Sequence, residues 1–227
     1  CQWIASIHFR LAIVQKVRRI VRAPPLIGLK VDLDEAGLAK IRTLSETFAR
    51  DGFRVLGVAW KRVEADEHHA VVGDETALIF AGFAAFFDPP KQSAQVALAK
   101  LTHAGVAVKV VTGDNELVTR YTCEKLGMPI TGILTGAEMQ GMDDHALTAC
   151  VENVTLFCRV NPAQKNRVIL ALKQRGRVVG YMGDGINDAP SLHSADIGIS
   201  VDSAVDVAKS AAEMILLEQD LNVLHEG

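Results

Sequence analysis

Between Gln92 and Leu217 the sequence alternates between segments of helical periodicity and short apolar runs. That rhythm confines the region to an open α/β fold, a mostly parallel sheet wound on both faces. Helical patterns cover Gln92–His103, Glu116–Leu126, Asp143–Cys150 and Val205–Ala211. Apolar runs cover Val106–Val111, Ile130–Leu134, Val154–Cys158, Arg177–Tyr181 and Met214–Leu217, with a further strand around Ile197. Another helix opens at Asn161-Pro162 and runs to Gln174, with Asn as N-cap and Pro in the first turn. Alanine and valine are frequent and aromatic residues make up only 5% of the chain, as suits strands buried on both sides.

Upstream the rhythm differs. Asp34–Arg50 reads as a helix with Leu38, Ile41, Leu44 and Phe48 near one face, and Gly52 lies just past its end. Phe53–Trp60 and Ala77–Phe87 read as strands, the second bent at Gly82, with a polar loop over Glu64–Asp74. This is the pattern of an antiparallel sheet with a helix. Asp88-Pro89-Pro90-Lys91 separates the two regions, because two prolines remove two amide donors and fix two φ angles. Residues 1–30 carry Arg10, Lys16, Arg18, Arg19, Arg22 and Lys30 and no acid, an atypical basic leader expected to be disordered or wrongly framed. The chain starts with Cys1 rather than Met, which points to a piece of a longer protein. A net charge of −3 disfavours nucleic acid as a partner. Cys1, Cys123, Cys150 and Cys158 form no metal or disulfide spacing, as in a reducing compartment. The longest clean apolar run, Ala77–Phe87, is too short to span a bilayer, so the chain itself is expected to be soluble.

The chemistry concentrates in Met182-Gly183-Asp184-Gly185-Ile186-Asn187-Asp188-Ala189-Pro190, which follows a strand and precedes a helix over Ser191–Ala195. Ligands of open α/β sheets bind at that end of the strands. Asp184 and Asp188 supply hard oxygens suited to Mg²⁺, and Asn187 can hold a phosphate oxygen or a water. An Asx-rich turn without a ligand is the competing reading. Thr112-Gly113-Asp114 ends another strand and opens a helix, where a hydroxyl and backbone amides can hold phosphate, or where Thr or Asp is a plain N-cap. Lys165 sits in the first turn of the Asn161 helix, against the helix dipole. It is either a solvated lysine or a phosphate ligand. Together these residues can place a hydroxyl, an ammonium and Mg²⁺ around one phosphoryl group.

The strings Asp88-Pro-Pro-Lys91, Val111-Thr-Gly-Asp114, Pro162-Ala-Gln-Lys165 and Met182–Pro190 resemble the P-type ion-pumping ATPases of the haloacid-dehalogenase superfamily. Ala195–Asp202 and Ile215–Gly227 are most similar to the bacterial magnesium-importing branch. The resemblance implies a haloacid-dehalogenase-like (Rossmannoid) α/β fold over residues 88–220, lacking its central first strand. It also implies part of an α+β nucleotide-binding domain over 31–87, and a connection toward a membrane helix over 221–227. It assigns Asp184 to the catalytic Mg²⁺ with Asp188 and Asn187 in support, and Thr112 and Gly113 to the phosphoryl oxygens with Asp114 beside them. It gives Lys165 charge neutralisation and Arg54 the nucleotide phosphates. ATP and Mg²⁺ are the implied cofactors. Mg²⁺ is the implied transported cation, through pump domains that this chain lacks. The parent protein is expected in the bacterial inner membrane, with this portion on its cytoplasmic side.

The family phosphorylates the aspartate of an Asp-Lys-Thr-Gly-Thr string, which this sequence does not contain. A covalent phospho-intermediate requires its nucleophile, so the chain alone is expected not to turn over ATP. Two other readings stand beside the pump. One is a stand-alone phosphatase of the same superfamily, which needs an Asp-x-Asp strand end, and no such strand end is read in the sequence. The other is a non-catalytic remnant that binds Mg²⁺ or nucleotide.

Overall fold

The computed structural model describes residues 20–22, 35–60, 79–218 and 220–226. The chain divides into two compact units, Cys1–Pro89 and Pro90–Gly227.

In the first unit β1 (Ile20–Arg22), β2 (Phe53–Trp60) and β3 (Ile79–Phe87) form an antiparallel sheet in the order β1-β3-β2, with α1 (Glu35–Arg50) against β2. Three residues of the basic leader thus form a strand, and the rest of the leader lies outside the described residues, as does the expected Glu64–Asp74 loop. The chain leaves α1 through Gly52, whose φ of 84° lies in the left-handed region that glycine enters without penalty. The bend expected at Gly82 is a slip of register: Val58 pairs with Gly82 but Ala59 with Phe80, leaving one extra residue on β3. Phe48, Phe53, Phe83 and Phe87 pack edge-on or tilted where α1 meets the sheet.

The second unit holds two parallel sheets of three strands, where the sequence predicts one. The first has the order β4-β6-β5, with β4 at Val110–Val111, β5 at Ile133–Thr135 and β6 at Leu156–Cys158. The second has the order β7-β8-β9, with β7 at Gly180–Met182, β8 at Ile197–Val201 and β9 at Met214–Leu216. Helices α2 (Gln92–His103), α3 (Glu116–Lys125), α4 (Gly136–Gln140), α5 (Asp144–Cys150), α6 (Pro162–Gln174), α7 (Ala189–Ser194), α8 (Asp206–Ala211) and α9 (Val223–Glu226) surround them. Most elements fall within a residue or two of their predicted spans. The exceptions are β5 and β7, which each start three residues later than predicted, and Val106–Val111, where only two residues pair as a strand.

Among the described residues β4 is paired on one side only. The amides of Val110 and Thr112 bond to Thr155 and Phe157 alongside β6. Strand alternation then turns the Val111 amide to the other side, where β4 has no partner strand among the described residues. β7 is likewise an end strand, its neighbour on one side only being β8. Among the described residues, two parallel sheets each with an open end strand are consistent with a partial Rossmannoid fold.

Helix α6 holds the two sheets together. Val168 and Ala171 pack with Leu134, Met139 and Phe157 of the first sheet's core. Ile169 packs with Tyr181, Leu192 and Ala208 of the second, and Leu172 borders both clusters. The start of α6 is locked by a capping box in which Asn161 Oδ1 accepts from the Gln164 amide at 2.9 Å and Gln164 Oε1 from the Asn161 amide at 3.0 Å. Among the described residues no helix is long and apolar enough to cross a membrane.

Candidate phosphoryl and metal site

The Met182–Pro190 stretch leaves β7 and folds into one turn of 3-10 helix, Ile186–Asp188, before α7. Its two carboxylates occupy different surroundings. Asp188 is 8% exposed, whereas Asp184 is exposed. Asp188 Oδ1 accepts from Lys165 Nζ at 2.7 Å and from the Tyr181 hydroxyl at 2.8 Å, and Oδ2 accepts from the Gly185 amide at 3.2 Å. Gly183 makes this fit, since a Cβ on it would lie 2.5 Å from the Asp188 Cβ. The Gly183 carbonyl accepts from Ser200 Oγ at 2.9 Å and the Asp184 carbonyl from the Val205 amide at 3.1 Å, which ties the turn to β8 and to the start of α8.

Electrostatics follow the geometry. Burial pushes the Asp188 carboxyl up, but the hydrogen bonds from Lys165 and Tyr181, with the Lys165 charge and the Gly185 amide, outweigh it and hold the group below the usual carboxylate range. Burial raises the Tyr181 phenol far above its ordinary value, and the hydrogen bond to Asp188 and its charge add to this. Tyr181 therefore stays a neutral donor.

Thr112-Gly113-Asp114 forms the loop between β4 and α3. Thr112 Oγ1 accepts from the Asp114 amide at 3.1 Å, and the helix N-cap is Asn115, whose Oδ1 accepts from the amides of Leu117 and Val118 at 3.0 Å each. Neither Thr112 nor Asp114 is spent as a helix cap. The chain after β6 clasps this loop: the Arg159 amide donates to the Asp114 carbonyl at 2.8 Å and the Val160 amide to the Thr112 carbonyl at 3.1 Å. Arg159 has a φ of 53°, the one positive φ at a non-glycine among the described residues. Its carbonyl abuts Gly136, where a Cβ would overlap it, and its guanidinium donates to Glu116 Oε2 at 2.9 Å. That hydrogen bond holds the Glu116 carboxyl below its ordinary range.

Lys165 and Asp188 are thus brought into contact, and Thr112, Gly113 and Asp114 share one loop at a strand end. Asn187 is exposed on the Asp184 turn. Arg54 is exposed on β2 of the first unit. No group of three or more His, Cys, Asp or Glu side chains capable of holding a metal occurs among the described residues. The donor set still fits Mg²⁺, which is held by one or two carboxylates with the remaining positions left to water and phosphate. Asp184 offers an exposed carboxylate, and Asp188 keeps one free lone pair on Oδ2. Sequence reasoning overlooked Tyr181, Arg159 and Gly136. Of these only Tyr181 carried a signal, because a tyrosine in a buried strand requires a hydroxyl partner. It also overlooked Asp32-Leu33-Asp34, an Asp-x-Asp string that lies outside the described residues.

A family model described as haloacid dehalogenase-like hydrolase matches residues 20–196. The chain is 46% identical over 197 residues to the magnesium-transporting ATPase, P-type 1, of Salmonella typhimurium strain LT2, covering 87% of this chain. It is 46% identical over 200 residues to the protein of the same name from Escherichia coli K12, covering 88% of this chain. It is 32% identical over 197 residues to the calcium-transporting ATPase lmo0841 of Listeria monocytogenes, covering 86% of this chain. In each case it spans 22% of the relative's length.

Proposed function

The chain belongs to the haloacid dehalogenase-like hydrolases, and on that footing we propose that it is the phosphoryl- and nucleotide-handling portion of an ATP-driven P-type cation pump, the cation being Mg²⁺. The observation that carries this reading is the Lys165–Asp188 pair, anchored beside the exposed Asp184 at the end of β7. Phosphoryl transfer demands little beyond positioning and charge compensation. Lys165 supplies a cation whose place is set by Asp188. Asp184 meets Mg²⁺, with Asp188 and Asn187 in support, and the metal when bound neutralises phosphoryl oxygens. Thr112 and the Gly113 amide hold the same oxygens, with Asp114 beside them, and Arg54 contacts the phosphates of ATP. Residues 31–87 belong to the nucleotide-binding domain, residues 88–220 to the phosphorylation domain, and the parent protein sits in the bacterial inner membrane with this portion on the cytoplasmic side.

Without an Asp-Lys-Thr-Gly-Thr string the chain binds but does not turn over ATP. Phosphorus NMR of inorganic phosphate with and without Mg²⁺ tests the reading. Mg²⁺-dependent binding that is lost in Asp184→Asn supports it, and binding indifferent to both sinks it. A specific string favours one alternative. Asp32-Leu33-Asp34 falls inside the matched range, and a stand-alone phosphatase would use such carboxylates. Hydrolysis of p-nitrophenyl phosphate that disappears in Asp32→Asn would favour that enzyme over the pump fragment.

A further inference from the structure

Tyr181 is the one buried titratable side chain at the site to which the phosphoryl-handling reading gives no task. Its ring stands in the core of the second sheet with Ile169, Leu192 and Ala195, so the position of its hydroxyl is set by the fold. That hydroxyl lies 2.8 Å from Asp188 Oδ1, the same oxygen that Lys165 Nζ reaches at 2.7 Å. We infer that Tyr181 is a positioning residue for Lys165, its phenol fixing the carboxylate oxygen on which the ammonium rests.

Lysine has a long, flexible stem and its ammonium is a point charge with no directional fork. Its location is therefore only as definite as that of its acceptor. Without the phenol, Asp188 would be held by a flexible lysine on Oδ1 and one amide on Oδ2 at 3.2 Å, against a last torsion that is broad for Asp. A third donor on a rigid strand removes that freedom. The donors come from α6, from β7 and from the turn itself, so the carboxylate is held from three directions. The phenol also takes up part of the charge on Oδ1, so less of it offsets the ammonium and more of the ammonium's field reaches an incoming oxyanion. A phenylalanine would fill the core equally well, so it is the hydroxyl alone that the carboxylate calls for.

The inference rests on the phosphoryl-site reading for its purpose, but its geometry can be tested apart. The sequence has two tyrosines, so Tyr121→Phe leaves Tyr181 as the sole source of the tyrosine Fermi doublet in ultraviolet resonance Raman spectra. The intensity ratio of that doublet reports how strongly the phenol donates. Lys165→Met, which leaves Oδ1 to the phenol, shifts the ratio toward stronger donation, and Asp188→Asn shifts it toward weaker donation. A ratio that neither substitution moves overturns the shared acceptor. The functional half is read from inorganic phosphate binding in the presence of Mg²⁺. Tyr181→Phe weakens it by about tenfold, roughly the worth of one hydrogen bond to a charged group. Affinity equal to that of the unaltered chain overturns the positioning role. If the unaltered chain binds no phosphate, the phosphoryl-site reading fails while the Raman ratio still decides whether the phenol and ammonium share their acceptor.

Discussion

Asp188→Ala removes the acceptor on which three donors converge. The Lys165 and Asp188 side chains are 14% and 12% exposed, so the pair is well out of solvent without being sealed. Truncating one member of a buried ion pair costs about 3–5 kcal/mol, because the surviving charge remains desolvated. The orphaned Tyr181 hydroxyl and Gly185 amide belong to the same loss and are not added again. The neighbouring Asp184 and Asn187 are exposed, so water can reach part of the void and the lower end of the range applies. We expect about 3 kcal/mol, a large share of the ~5–15 kcal/mol available to a typical domain. Urea denaturation followed by far-ultraviolet circular dichroism measures it as a lower midpoint at unchanged slope. Lys165→Met combined with Asp188→Leu leaves no orphaned charge and costs less than Asp188→Ala alone, as replacement of a buried pair by apolar groups usually does. A loss below about 1 kcal/mol for Asp188→Ala, the scale of an exposed pair, would refute the reasoning. So would a double variant as costly as the sum of its singles.

The pH dependence has a definite sign. Asp188 is held below the ordinary carboxylate range, so its contribution to stability is present above that range and is lost as pH falls through the folded-state value. Acid unfolding profiles of Asp188→Asn should accordingly be flatter than those of the unaltered chain, and identical slopes would contradict the assignment. Gly136→Ala drives a Cβ into the Arg159 carbonyl and toward Gln164 Oε1. Overpacking against backbone should cost about 1–3 kcal/mol, while Gly176→Ala, which meets no atom within 4 Å, costs only its backbone strain. Equal losses in the two would dismiss the clasp. A peptide with an apolar run ending in Asp-Lys-Thr-Gly-Thr should add a strand beside β4 or β7 and raise the melting temperature, and an unchanged melting temperature would argue against an open strand position.

The helices were the most legible part of the sequence because their signals are local. Asn161, Pro162 and Gln164 announce both the start of α6 and the way its free amides are satisfied, and Asp143 does the same for α5. Strand existence was legible from apolar runs, but strand partnership was not. Pairing is decided far along the chain, and among the described residues β4 pairs on one side only, over two residues, and the strands fall into two sheets. The candidate site followed the same division. Lys165 and the Asp184 turn were readable as motifs, yet nothing local distinguishes a carboxylate gripped by three donors from one left open to solvent. The left-handed Arg159 was not readable at all, since an arginine signals no positive φ. It is imposed by the clasp between the Thr112 loop and Gly136.

The most direct test of the account is to replace Mg²⁺ by paramagnetic Mn²⁺ and record which backbone amides of the nitrogen-labelled full chain broaden. Broadening centred on Gly183 to Asn187, weaker over Thr112 to Asp114 and abolished by Asp184→Asn, is the predicted result. Broadening elsewhere, or a pattern unchanged in Asp184→Asn, would contradict the claim that this strand end is the chain's metal and phosphoryl site.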